Sequence, residues 1–161
     1  MVEGYLDGVQ LRKLLMGITV HRAAEAIAIT VSPGLPIYTI TGGVILVTGL
    51  WGVCTTTHGA VANTMSFELN PTAATGANSA ITATTDLGTA SVVGDIAVVV
   101  GAPATGPLGG HVENNVLGST AGKGILMNAG VIGLVATAAN GAWRWCISYV
   151  PMDDGAYVTV A

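Results

Sequence analysis

Charge is what this chain has least of. Five basic and nine acidic residues are spread over 161 positions, and none falls between Ala26 and Phe67. A soluble domain normally carries most of its Asp, Glu, Lys and Arg on its surface. Charge this sparse implies that much of the nominal surface is covered by other copies of the chain or by a partner. Clustered cations are missing too: the basic residues are Arg12, Lys13, Arg22, Lys123 and Arg144, and the formal net charge is −4. Phosphate backbones are bound by cation clusters, so no nucleic-acid partner is expected.

Cysteine is nearly absent. Cys54 and Cys146 are too few for a disulfide framework and have no metal-ligand spacing, so they read as buried free thiols. The histidines are isolated as well. His21 and His58 have no Cys, Asp, Glu or His at ligand spacing, and His111 with Glu113 is the nearest approach to a metal pair. Acid–base hydrolysis needs two carboxyl groups converging on one cleft. Asp86 and Asp95 stand apart, while the side chains of Asp153-Asp154 diverge in an extended chain and, followed by Gly155, read as a turn. The stretch Gly118 to Gly124 has three residues between Gly118 and Gly122 where a phosphate-binding loop needs four. It also puts Gly124 where a magnesium-binding hydroxyl belongs, so it reads as a loop with a solvated Lys123. The expectation is no enzyme and no catalytic, cofactor-binding or metal-binding residue.

Apolar residues are abundant, at 51% with a mean hydropathy of +0.66. A membrane span is the first reading to test. The best candidate, Pro36 to Val53, contains Thr39, Thr41, Gly42, Gly43, Thr48, Gly49 and Gly52 and has no flanking cation cluster, which argues against a transmembrane helix. The N-terminus is acidic where a secretory signal is basic, which predicts maturation in a cytoplasm.

At this length one domain is expected, burying roughly 70% of the unfolded chain's surface. Residues 1–25 hold six of the charges, with Tyr5, Leu6, Val9, Leu11, Leu14 and Leu15 in no clear period; they read as a short helix or, preferably, an arm reaching a neighbouring subunit. Residues 26–161 read as one β-domain. Ile27 to Val31 has strand propensity, and Ser32 to Pro36 is a turn cluster. Ile37 to Thr41, Gly42-Gly43 and Val44 to Thr48 match a two-residue hairpin whose second strand is apolar on both faces, as inside a sandwich or at a subunit contact. Further strands are expected at Ala60 to Leu69, Ser79 to Thr85, Ile96 to Val100, Gly130 to Thr137, Trp143 to Val150 and Ala156 to Val160. Between them lie an Ala/Thr/Gly-rich excursion over 70–91 and a Pro/Gly loop over 101–110. Short strands so punctuated predict an all-β fold, a β-sandwich or jelly-roll-like barrel.

The segment from Trp143 to Tyr149 places Trp143, Trp145, Ile147 and Tyr149 on one face by period two. With the following Val150-Pro151-Met152-Asp153-Asp154-Gly155-Ala156 and a Val-rich last strand, it resembles the C-terminal pattern of small virion proteins of tailed bacteriophages. The charge-poor Gly/Ala/Thr/Val composition is similar too. The resemblance implies a capsid decoration or cement protein, β-sandwich or jelly-roll-like, on the exterior of the virion. It carries over no catalytic or ligand residue.

These readings together predict a structural virion protein that is a homotrimer and binds the major capsid protein, without nucleic acid or membrane. The alternative is a glycan- or receptor-binding tail or fibre module that stacks exposed aromatics on sugars. The candidate core or interface residues are Tyr5, Leu6, Leu14, Leu15, Trp51, Trp143, Trp145, Tyr149 and Tyr157.

Overall fold

A computed structural model describes residues 7, 11, 13, 15, 17–72, 77–87, 91–99, 114–116 and 124–161. The strands are β1 (Ile18–His21), β2 (Glu25–Ala26), β3 (Thr30–Thr41), β4 (Ile45–Thr56), β5 (Thr64–Pro71), β6 (Ser79–Ala80), β7 (Thr85–Asp86), β8 (Ile96–Val98), β9 (Asn114–Val116), β10 (Ile125–Met127), β11 (Gly130–Ala136), β12 (Ala142–Pro151) and β13 (Tyr157–Val160). They form two antiparallel sheets packed face to face, as the all-β reading expects. The first runs β1-β12-β4-β10-β9, with β2 also on β12 and β8 also on β4. The second runs β13-β3-β11-β5-β6, with β7 also on β5.

The alternation legible in the sequence sets which side chains meet between the sheets. In β4, Ile45, Val47, Leu50, Gly52 and Cys54 point inward, with the alternation reset by a bulge where Tyr149 pairs Val47 and Ser148 pairs Gly49. In β12, Trp143, Trp145, Ile147 and Tyr149 do the same, opposite Tyr38, Ile40, Phe67, Leu69, Ile132 and Leu134 of the second sheet. Both cysteines are buried and unpaired.

Gly42-Gly43 does not close a hairpin. β3 and β4 belong to different sheets, so the turn carries the chain over the end of the sandwich. Pro151 to Gly155 makes the matching crossing from β12 to β13, and the two arches lock together. Val44 donates its N–H to Asp153 Oδ2 at 2.7 Å, and Met152 donates to the Val44 carbonyl at 3.0 Å. A Cβ on Gly42 would lie 2.4 Å from the Gly155 carbonyl oxygen, so this close approach requires glycine. Asp153 thus serves the fold as an acceptor for a turn.

The N-terminal boundary also differs from the expectation of a segment separate up to residue 25. Ile18 to His21 pairs with Tyr149 to Cys146, and Glu25-Ala26 pairs with Trp143-Ala142, so the sheet begins at Ile18. Before it, Leu11, Lys13 and Leu15 are helical, with Leu11 N–H donating to the Asp7 carbonyl and Gly17 N–H to that of Lys13. The expected excursion over 70–91 contains the short strands β6 and β7, laid along β5. The loop at 101–110, His111, Glu113 and Lys123 lie outside the described residues. Among the described residues no helix is long and apolar enough to cross a membrane, and no group of His, Cys, Asp and Glu is placed to hold a metal ion.

Candidate assembly surface

The two long edges of the sandwich are built differently. At the edge formed by β1 and β13, Arg22 is buried and ties the layers together. Its Nη1 donates to the carbonyls of Ile37 at 2.9 Å and Ala161 at 3.0 Å, while Nε and Nη2 bind the Glu25 carboxylate. Tyr149 of β12 adds a second tie, its hydroxyl accepting the Val158 N–H at 3.2 Å. A buried guanidinium with its donors spent on carbonyls and a carboxylate stabilises one packing arrangement only, because leaving any donor unmet there is costly.

Among the described residues the opposite edge is open. Between β8 of the first sheet and β5–β7 of the second lies a cleft of about 450 Å³, whose apolar walls are Met65, Phe67, Leu87, Ala97 and Val99 and whose floor includes Trp145. Thr82 and Thr85 are the hydroxyls at its rim, and among the described residues no charged one lines it. The sequence places Asp86 and Asp95 at either side, each next to a lining residue, and both are exposed.

Through Ile96 and Val98, which also line the cleft, the same edge continues onto the outer face of the first sheet. Residues directly opposite on neighbouring strands share a face. Trp51 is therefore flanked by Cys146 and Val98, and Val53 by Arg144 and Ile96. Ile96 is 67% and Val98 60% exposed, and Val92 and Val93 in the preceding turn are exposed as well. Trp51 and Val53 are half-buried. An apolar face on a short edge strand is the kind of surface that proteins usually blunt with lysine or proline. None stands between Val92 and Val99.

The expected site residues divide accordingly. Trp143, Trp145 and Tyr149 are 1%, 2% and 3% exposed and belong to the core. Trp143 and Trp145 stack at 5.4 Å between ring centroids, and Phe67 meets Trp145 edge-on at 4.9 Å. Trp51 lies on the outer face described above, Tyr157 is exposed on edge strand β13, and Leu15 is exposed on the helical turn. Tyr5, Leu6 and Leu14 lie outside the described residues.

One polar contact escaped the sequence reading. Trp143 Nε1–H donates to His58 Nε2 at 2.6 Å across 85 residues of chain. A neutral imidazole that accepts at Nε2 carries its proton on Nδ1, and that atom is buried with no hydrogen-bond partner among the described residues. Burial lowers the pKa of His58 below the ordinary imidazole value. Protonation would point two N–H donors at each other. The unfolded chain binds a proton below about pH 6.5 that the folded chain refuses until the pH is lower, so unfolding free energy is expected to fall as pH drops through that range. His58→Leu should remove this step in urea titrations run from pH 7.5 to 5. It should also cost about 1–3 kcal/mol for the indole N–H left unpaired. An unchanged pH slope in the variant would refute the assignment.

Compared with family models, with curated proteins and with solved structures, the chain gives no match.

Proposed function

We propose that this chain is a structural assembly protein, forming homo-oligomers with a trimer as the unit, and that it coats the exterior of a tailed-phage capsid as a decoration or cement protein, bound to the major capsid protein. The observation that carries the reading is the open edge. Trp51, Val53, Ile96 and Val98 form an outer face that is apolar apart from Arg144 beside Val53, next to a cleft lined by no charged residue among those described, while the opposite edge is tied by Arg22. Surfaces of this composition gain free energy when another protein covers them. Repeated attachment on a lattice turns modest single contacts into durable binding. Low charge suits the purpose, since few ions have to be stripped of water at the contact.

The glycan-binding alternative draws on exposed aromatic side chains; Trp143, Trp145 and Tyr149 are buried in the core, which leaves it the half-buried Trp51 and the exposed Tyr157. Particle composition tests the decoration reading. Mass spectrometry of purified particles from a lysate that produces the protein should find it in fixed proportion to the major capsid protein. Recovery solely from the soluble fraction, with none on particles, would overturn it.

A further inference from the structure

Resting on the assembly reading, we propose that copies of this chain join head to tail, the helical turn before β1 of one copy laying Leu11 and Leu15 into the cleft between β8 and β5–β7 of the next. Leu11 and Leu15 are one helical turn apart, hence on one face, and are 46% and 72% exposed. Both leucines are uncovered in the single chain. The cleft is their chemical counterpart, with Phe67, Leu87 and Trp145 among its walls and floor and a volume that accepts side chains from a helix laid across its mouth.

Charge points the same way. Two of the five cations of the chain, Arg12 and Lys13, stand beside these leucines in sequence, and Lys13 is exposed. Asp86 and Asp95 are exposed and next in sequence to lining residues, their carboxylates accepting the N–H groups of Asn63 and Val92, and the cation on this edge, Arg144, lies on the outer face across Val53 from Ile96.

Topology makes the contact intermolecular. The helical turn runs into β1 through Gly17, which is pressed on β12: a Cβ there would lie 2.1 Å from the Tyr149 carbonyl oxygen. β1 is at one edge of the first sheet, whereas β8 lies beyond β12 and β4 at the other. Three strand spacings, roughly 14 Å, separate β1 from β8 within one copy. Donor and acceptor on opposite edges define a heterologous interface, which closes into a ring such as a trimer or propagates as a filament.

Complementation in solution tests this. Donor-deficient chains carry Leu11→Asp with Leu15→Asp or, as a second form, lack residues 2–16. Acceptor-deficient chains carry Ala83→Trp or, separately, Thr85→Arg, both at exposed lining positions. The expected result is that the full chain is multimeric and each deficient chain is a folded monomer. Mixing a donor-deficient with an acceptor-deficient chain should then give a 1:1 dimer that grows no further. If the full chain is multimeric but all the variants keep its mass, the head-to-tail contact is wrong and the assembly reading stands. A monomeric full chain would overturn both.

Discussion

Trp145→Ala is expected to lower the free energy of unfolding by about 3–5 kcal/mol, the range for truncating a large aromatic in a core. Trp145 is stacked on Trp143, meets Phe67 edge-on and closes the floor of the cleft. The site has little room to collapse, because the strand opposite is fitted to the indole: a Cβ on Gly52 would lie 2.4 Å from its ring. Removing the ring therefore leaves a void under both sheets as well as losing the transfer free energy. Urea unfolding followed by circular dichroism checks the value. A variant of full stability that lost only affinity for a glycan would favour the sugar-binding alternative.

Much of this architecture was legible in the residues. The alternation Trp143, Trp145, Ile147, Tyr149 needed only period two to be assigned to one face, and the two-sided apolar pattern of Val44 to Thr48 marked a strand inside a sandwich or at a subunit contact, where β4 lies between β12 and β10. The Gly42-Gly43 misreading has a definite cause. A glycine pair reports that positive φ is tolerated, which both a hairpin and an arch between sheets require; the choice between them is made by Asp153 and Gly155, more than a hundred residues away. β1 was hidden because its side chains are mostly exposed and it is held by backbone pairing to β12, leaving no hydrophobic period to read. β10 is three residues long, too short for a pattern.

The candidate surface was half legible. Sparse charge predicted covered surface without locating it. The cleft gathers residues from β5, β7, β8 and β12, a tertiary product that no local window contains. The exposure of Ile96 and Val98 follows from the place of β8 at the edge of its sheet, and their composition alone suggests a buried strand. The His58–Trp143 hydrogen bond likewise has no local signature.

The central claim is that this surface exists to be covered by copies of the same chain, and sedimentation velocity of the purified full-length protein measures it directly. An obligate interface buries on the order of 2,000–5,000 Å² with core-like composition, so a single multimeric boundary, with the mass of a trimer, is expected at micromolar concentration and should persist on dilution. A well-behaved monomer across that range would contradict the account.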